Sequence, residues 1–168
     1  MTGRWGRWLA TVAVVAAAAG CGGGSDGVSY AATDMASGDK MSLATLAGTP
    51  VVLTSWATWC AECDELLAGL QAFTVSSESE GVEVVAVNLD AADNTAEIDA
   101  KIADHGLSAT LWRDRRNEFR AAFGALGVPT SVVLDRDGTV VALFPGAVDF
   151  TGEDFTEALA EARGPGDA

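Results

Sequence analysis

The feature that most constrains this chain is the pair Cys60 and Cys63, which stands between a strand pattern and a helix pattern. Residues 50–56 (PVVLTSW) form a short, β-branched, apolar run that is typical of a buried strand. Residues 62–73 carry apolar side chains at helical spacing, which predicts an amphipathic helix with one apolar stripe. The two cysteines therefore lie where a buried strand ends and a helix begins.

This position favours a particular chemistry. The first turn of a helix presents unpaired backbone N–H groups and the positive end of the helix dipole, which favour a thiolate at Cys60. The two-residue spacing lets Cys63 resolve a mixed disulfide formed at Cys60. The same spacing also occurs as half of a zinc site. We predict no metal here, because the sequence has no second cysteine pair and its single histidine, His105, is distant.

The rest of the chain alternates between strand-like and helix-like periods. An Asp-Gly turn within residues 135–138 joins two apolar runs and predicts a β-hairpin. The predicted strands are residues 50–56, 82–89, 110–112, 130–134 and 139–144. The predicted helices are residues 62–73, 94–105, 117–123 and 151–163. This order predicts an α/β fold, with a central mixed β-sheet flanked by helices on both faces.

The N-terminal segment has the pattern of a bacterial export signal. A basic head with Arg4 and Arg7 precedes an apolar run over residues 9–19, which is shorter than the roughly 20 residues of a membrane-spanning helix. Small residues directly before Cys21 are similar to a lipobox and predict cleavage there, with acylation of Cys21. An uncleaved anchor and an ordinary secreted protein are the alternatives.

The predicted domain organisation follows from these segments. Residues 1–20 form a signal peptide that is cleaved before Cys21, and residues 21–33 form a glycine-rich flexible tether. Residues 34–163 form one folded domain, which the chain length of 168 residues suits. Residues 164–168 are predicted to be a disordered tail.

The net charge restricts the partners. Cleavage before Cys21 removes two basic and no acidic residues, so the net charge changes from −14 to −16. Such an acidic domain argues against nucleic-acid binding and against docking on anionic headgroups by charge. Membrane attachment is therefore predicted to come from the lipid on Cys21.

The cysteine count bears on the pair itself. Export would place the domain in an oxidising compartment, where disulfides persist. Acylation of Cys21 leaves Cys60 and Cys63 as the remaining thiols of the chain. The pair is then either redox-active or a small-loop disulfide with little stabilising value.

Several further segments carry a family resemblance. They are residues 41–50 (MSLATLAGTP) leading into VVLTSWATWC, residues 84–88 (VVAVN), residues 127–130 (GVPT) and residues 135–138 (DRDG). In order and spacing, from about residue 34 to residue 163, they resemble the TlpA/ResA-like branch of the thioredoxin family. These are membrane-tethered bacterial thiol–disulfide proteins. The resemblance implies a thioredoxin-like fold and thiol–disulfide oxidoreductase activity without a cofactor.

The same resemblance implies roles for individual residues. Cys60 is the attacking thiol and Cys63 the resolving thiol of a redox disulfide. Pro129 matches the family's cis-proline, which lies beside the pair and belongs with it in the catalytic site. The backbone of Val128 is expected to pair with an extended substrate peptide.

The aromatic residues Trp56 and Trp59 match a pair that brackets the site in the family. Trp59 is expected to shield the thiols. Trp56 fits equally well as a core residue.

Glu62 departs from the family pattern, which has proline directly before the second cysteine. A carboxylate near the sulfurs disfavours the Cys60 thiolate and stabilises the oxidised form, which predicts a more reducing couple. The alternative places Glu62 in solvent, where it favours the start of the helix through the dipole. Both interpretations stay open at this point.

The acid–base group is a second departure. Thr54 stands where cytosolic thioredoxins keep a buried aspartate that assists proton transfer. Glu62 and Asp90 are the candidates to replace it. Asp90 follows a central strand, close to the position of a buried acid in the reducing branch of the family.

The predicted function is therefore an extracytoplasmic, membrane-tethered enzyme that exchanges disulfides with exported proteins. A reductant is slightly favoured, for example of apocytochrome cysteines, with electrons from a membrane partner. One alternative is an oxidant that installs disulfides in exported proteins. Another is a non-catalytic binding module with an inert disulfide.

Overall fold

The computed structural model describes residues 27–165, and in that part of the chain the centre is a mixed sheet of seven strands. The strands are β1 (Ala31–Asp34), β2 (Lys40–Ser42), β3 (Val51–Trp56), β4 (Glu83–Asn88), β5 (Thr110–Arg113), β6 (Thr130–Leu134) and β7 (Val140–Pro145). The helices are α1 (Cys63–Thr74), α2 (Thr95–His105), α3 (Glu118–Phe123) and α4 (Glu153–Arg163). Short 3-10 turns cover Leu43–Leu46 and Ser77–Ser79.

The strand order is β2-β1-β5-β4-β3-β6-β7. Strands β3, β4 and β5 run parallel, whereas β6 pairs antiparallel with β3 and β1 pairs antiparallel with β5. Strand β3 lies between two partners, and every one of its residues is buried. Apolar side chains, with the buried hydroxyl groups of Thr54 and Ser55 hydrogen-bonded, suit such a doubly covered strand. The predicted α/β fold with a mixed sheet is confirmed.

The core lies on both faces of the sheet. Successive residues of a strand face opposite sides, so Val52 and Leu53 of β3 belong to different apolar clusters. The Val52 cluster also holds Leu66 of α1 and Phe155 of α4, whereas the Leu53 cluster holds Phe119 of α3. Helices therefore cover both faces, as the sequence predicts.

The hairpin between β6 and β7 follows the predicted Asp-Gly signal. The Asp135 carboxylate accepts hydrogen bonds from the backbone N–H groups of Asp137 at 2.9 Å and Thr139 at 2.8 Å. Gly138 has a φ of 77°, in the left-handed region that favours glycine. The turn thus reverses the chain at the end of the sheet opposite to the end where β3 meets α1.

The structure corrects the predicted boundary of the tether at residue 33. Strand β1 begins at Ala31, the Val28 N–H donates to the Gly138 carbonyl at 2.9 Å, and Tyr30 is buried. The Tyr30 ring packs edge-on against Phe119, which draws this segment into the core. The folded domain therefore includes residues that the sequence pattern assigns to the tether.

Some predictions concern residues outside the described range. The signal peptide, the cleavage site at Cys21 and residues 166–168 of the predicted tail belong to this group. Within residues 27–165, no helix combines the length and the apolar character that crossing a membrane requires.

Candidate active site

The cysteine pair lies at the carboxyl end of β3, where the sheet meets α1. Two consecutive tight turns connect the elements: the Cys60 N–H donates to the Ala57 carbonyl, and the Cys63 N–H donates to the Cys60 carbonyl, both at 3.3 Å. The two cysteines form a disulfide with their Cα atoms 5.4 Å apart. Cys63 is the first residue of α1, so the pair stands at the start of this helix, as the sequence predicts.

The two cysteines differ slightly in exposure. Cys60 is 5% exposed and Cys63 is 0% exposed. Both belong to the apolar cluster that contains Trp56 and Leu66. The small exposed surface of the pair therefore belongs to Cys60, which is the residue expected to act as nucleophile.

The loop before β6 lies against Cys60. The Cys60 Sγ atom is 3.7 Å from the Val128 carbonyl oxygen, and the Val128–Pro129 peptide bond is cis. Ser55 of β3 holds this loop: its hydroxyl donates to the Thr130 carbonyl at 3.1 Å and accepts from the Thr130 N–H at 3.0 Å. The Val128 carbonyl is therefore fixed beside the disulfide by a rigid strand.

Asp90 is the centre of a polar network that includes Thr58, two residues before Cys60. Its Oδ2 accepts the Thr58 N–H at 2.9 Å and the Asn88 side-chain amide at 2.7 Å. Its Oδ1 accepts the Thr58 hydroxyl at 2.7 Å and the Asn94 side-chain amide at 3.2 Å. Thr58 belongs to the turn between β3 and Cys60, so the carboxylate binds the segment that carries the cysteine.

The network determines the protonation of Asp90. Burial raises the pKa of this carboxyl group, but the hydrogen bonds from Thr58, Asn88 and Asn94 together outweigh that effect and lower the pKa below its ordinary value. The group is therefore ionised at neutral pH, with donors on both oxygens. A general acid or base near neutral pH needs a pKa close to the working pH. The hydrogen bonds attach Asp90 to the turn before Cys60, and the acid–base role of this residue stays a prediction.

The two tryptophans lie in contrasting environments. Trp56 is fully buried and is part of the core, in agreement with one of its two interpretations. Trp59 is 68% exposed and lines an open hollow with Lys101 and His105 of α2. Both cysteines belong to the apolar cluster, whereas the Trp59 side chain is mostly in solvent, and the shielding of the sulfurs by Trp59 stays a prediction.

Glu62 occupies the residue that directly precedes α1. Its side chain is exposed and makes no capping hydrogen bond, and its φ is −71°. This placement matches the solvent-facing interpretation of Glu62. Its charge then acts on the sulfurs mainly through water, which weakens the effect.

A second cluster bridges α1 and α2 next to the pair. The Asp64 carboxylate accepts a hydrogen bond from Lys101 Nζ at 3.0 Å, and the same oxygen lies 2.9 Å from His105 Nε2. These contacts lower the pKa of Asp64. His105, distant in sequence from both cysteines, thus lies beside the helix turn that contains Cys63. The fold brings it there through the packing of α2 on α1.

Sequence reasoning missed the residues that orient the turn before Cys60. These are Thr58, Asn88 and Asn94, which come from three separate segments. A threonine two residues before a cysteine carries no signal by itself. The pairing depends on β4 lying next to β3, because that places Asn88 beside the end of β3. Among residues 27–165, no group of three or more His, Cys, Asp and Glu side chains is placed to hold a metal ion.

Comparisons with known proteins agree with this geometry. The sequence model of the AhpC/TSA family matches residues 28–143. A thiol-disulfide oxidoreductase ResA from Bacillus anthracis is 29% identical over 118 residues, which cover 70% of this chain and 66% of that protein. A protein of the same name from Geobacillus thermodenitrificans is 28% identical over 137 residues, which cover 81% of this chain and 75% of that protein. The chain thus spans just under two thirds of the length of the first of these relatives.

Solved structures share the fold. A Chlorobium tepidum protein assigned as the thiol:disulfide interchange protein DsbE is 26% identical, with a TM-score of 0.68 over 80% of this chain and 92% of that chain. StoA from Bacillus subtilis is 22% identical, with a TM-score of 0.65 over 79% of this chain and 96% of that chain. The StoA likeness shows the fold alone. These relatives confirm the resemblance on which the sequence-based expectations rest.

Proposed function

The chain belongs to the AhpC/TSA family, and we propose that it acts as a thiol–disulfide oxidoreductase through Cys60 and Cys63. The observation that carries this proposal is the disulfide at the start of α1, with Cys60 Sγ 3.7 Å from the Val128 carbonyl oxygen. A thiol at a helix start reacts as a thiolate more readily than an ordinary cysteine. In the reduced protein, the Cys60 thiol can donate a hydrogen bond to the carbonyl that already lies beside it.

The exchange proceeds in two steps in the reductive direction. The Cys60 thiolate attacks one sulfur of a client disulfide, which forms a mixed disulfide and releases the client's other sulfur as a thiolate. The Cys63 thiolate then attacks the Cys60 sulfur, which breaks the bond between Cys60 and the client. The client leaves with two thiols after taking up two protons, and its two electrons come from the protein. The protein ends as the Cys60–Cys63 disulfide.

We assign the protein to the reductive direction, with exported proteins such as apocytochromes as clients. A membrane electron-transfer partner would then return two electrons to the disulfide. The exposed position of Glu62 makes the charge argument for this direction weak, so the reduction potential decides it. A potential near that of thioredoxin, about −270 mV, supports the reductant, and one near −120 mV supports the oxidant that installs disulfides.

The proposed location is outside the cytoplasm, on a lipid anchor at Cys21. The support is the sequence pattern before Cys21, which lies outside the described residues. Expression with radiolabelled palmitate tests it, with Cys21→Ser as the control that removes the acceptor. Label in the Cys21→Ser protein would contradict anchoring at this residue.

One observation favours a second candidate function. The disulfide is almost fully buried, as expected for an inert disulfide in a binding module. Reduction of insulin in the presence of dithiothreitol separates the two functions. We expect the wild-type protein to accelerate the reaction and Cys60→Ser to lose that acceleration, because it removes the attacking sulfur. Equal rates for the two proteins would support the binding module.

The identity of the client follows from a trapping experiment. Cys63→Ser removes the resolving thiol, so the mixed disulfide at Cys60 persists. We expect a covalent complex with Cys63→Ser and none with the double variant Cys60→Ser, Cys63→Ser. A complex that survives the loss of Cys60 would assign the nucleophile to another residue.

A further inference from the structure

We propose that Asp90 is the positioning residue of this site: through Thr58 it holds the turn that carries Cys60 and so controls disulfide exchange. The inference rests on the proposed oxidoreductase function. It assigns a task to a buried acid that neither attacks nor resolves a disulfide.

The first argument is the double contact between Asp90 and Thr58. One carboxylate oxygen accepts the Thr58 N–H at 2.9 Å, and the other accepts the Thr58 hydroxyl at 2.7 Å. The hydroxyl oxygen also accepts the Asn94 amide at 2.9 Å, so both its donor and acceptor functions are used. Main chain and side chain of Thr58 are thereby fixed together. Only Trp59 separates this residue from Cys60.

The second argument is the rigid support of Asp90. It follows β4, a strand paired on both sides, and its own N–H donates to the Asn88 side-chain carbonyl at 3.2 Å. The Arg113 guanidinium donates to the main-chain oxygens of Asp90 at 3.1 Å and Ala92 at 2.7 Å. The turn before Cys60 is therefore attached to the sheet through one carboxylate.

The third argument is that the charge of Asp90 is buried. Asp90 is 2% exposed, and the donors to its carboxylate are neutral amide and hydroxyl groups. Arg113 binds the Asp90 main chain instead of forming an ion pair with that carboxylate. Burying a charge without an ionic partner is unfavourable unless hydrogen bonds compensate for it. Here the donors on Thr58, Asn88 and Asn94 provide that compensation, so the carboxylate stays charged because it binds these three segments together.

The charge bears on the redox equilibrium as well as on the geometry. Asp90 is joined to Thr58, two residues before Cys60, and a negative charge near a thiol disfavours the thiolate and so stabilises the disulfide relative to the dithiol. Glu62 is also anionic but is exposed to solvent, whereas Arg113 supplies the nearby positive charge. Removing the Asp90 charge should therefore shift the equilibrium toward the reduced protein.

Four single variants test the proposal in the full chain. Thr58→Val removes the hydroxyl with little change in shape, and Thr58→Ser keeps it. Asp90→Asn removes the charge. The matched control is Thr110→Val, because the Thr110 hydroxyl donates to Glu83 Oε1 at 2.5 Å at the opposite end of the same strands. Each protein is measured for insulin reduction, for its equilibrium with glutathione, and for urea unfolding.

We expect Thr58→Val to slow exchange by about tenfold, the scale of a lost hydrogen bond to a charged group. Thr58→Ser and Thr110→Val should keep the wild-type rate. Asp90→Asn should shift the glutathione equilibrium toward the dithiol, by at most about tenfold. A purely structural role predicts that Thr58→Val and Thr110→Val lose stability alike and leave both redox readouts unchanged.

The outcomes separate this inference from the proposed function. Normal exchange by the wild type with an unchanged rate in Thr58→Val overturns the inference alone. An unchanged glutathione equilibrium in a folded Asp90→Asn protein overturns the charge effect. Absence of exchange in the wild type overturns the oxidoreductase function and this inference with it. If Asp90→Asn does not fold, the Thr58→Val and Thr58→Ser pair decides.

Discussion

The hydroxyl oxygens of Thr54 in β3 and Ser131 in β6 lie 2.9 Å apart across the centre of the sheet. Both side chains are fully buried, so each hydroxyl is the other's hydrogen-bond partner in an apolar environment. This chain resembles the thioredoxin family, and Thr54 occupies the position at which cytosolic thioredoxins have a buried aspartate. This chain has a neutral pair there, which does not change protonation state near neutral pH. Proton transfer at the disulfide therefore has to use another group or water.

Thr54→Val tests this neutral pair. It leaves the Ser131 hydroxyl buried without its partner, which should lower the free energy of unfolding by about 1–3 kcal/mol. The rate of insulin reduction should stay at the wild-type value, because the pair moves no proton. Urea unfolding and the insulin assay measure the two effects. The double variant Thr54→Val, Ser131→Ala should recover part of the lost stability. A folded Thr54→Val protein that reduces insulin slowly would contradict the prediction and implicate the hydroxyl in proton transfer.

Much of the fold could be predicted because its signals are local. Strands β3, β4 and β6 are short segments rich in β-branched residues, and the turn before β7 contains Asp-Gly. Strands β1 and β2 could not be predicted, because AATD and KMS are too short to show an alternation and the pair joins the rest of the sheet through β5, far along the chain. The ordered segment before β1 depends on packing of Tyr30 against α3, which no local pattern indicates.

The candidate site also has a part that could be predicted from the sequence and a part that could not. The position of Cys60 and Cys63 follows from the strand and helix patterns on either side of them. The direction of the Asp90 side chain does not, because it depends on donors that only the packed sheet brings together. Trp59 shows the same limit: its neighbour Cys60 is buried, yet the turn points the indole into solvent. Neighbours in sequence can therefore differ completely in exposure at a strand–helix junction.

Glu62→Gln tests whether this charge sets the reduction potential. An exposed charge contributes about 0.2–1 kcal/mol, so the potential should rise by less than about 20 mV. Glu65→Gln is the matched control, because Glu65 is an exposed acid in the first turn of α1. The potential is measured against glutathione. A much larger shift in Glu62→Gln, absent from Glu65→Gln, would restore the interpretation in which this carboxylate disfavours the Cys60 thiolate.

Leu126→Asp tests how clients approach the disulfide. Leu126 is 88% exposed and lies two residues before Val128, whose carbonyl contacts Cys60. The change should alter stability by no more than about 0.5 kcal/mol, as for other surface substitutions. It should slow exchange with insulin but not with glutathione, which is too small to reach this side chain. Val75→Asp, at an exposed apolar residue after α1, is the control and should slow neither reaction. Equal slowing with insulin and with glutathione would mean that the substitution changes the reactivity of the disulfide and not the approach of the client.

The stability of the protein should depend on pH through Asp90. Its pKa in the folded protein lies below the ordinary value of 3.8, because hydrogen bonds from Thr58, Asn88 and Asn94 outweigh the effect of burial. The ionised group therefore stabilises the fold fully above pH 3.8, and this contribution is lost as the pH falls through the lowered pKa. We expect Asp90→Asn to be less stable than the wild type at pH 7, with a difference that shrinks as the pH approaches about 2.

Urea unfolding across this pH range measures the difference between the two proteins. Asp149→Asn is the control, because the pKa of Asp149 is also lowered, chiefly by hydrogen bonds from Thr151, yet this carboxylate is fully exposed. Solvent screening should make its variant nearly as stable as the wild type at every pH. Parallel curves for Asp90→Asn and the wild type would mean that the Asp90 carboxylate is not preferentially ionised in the folded protein. In that case the loss of stability at neutral pH would come from altered packing around Thr58 instead of from the charge.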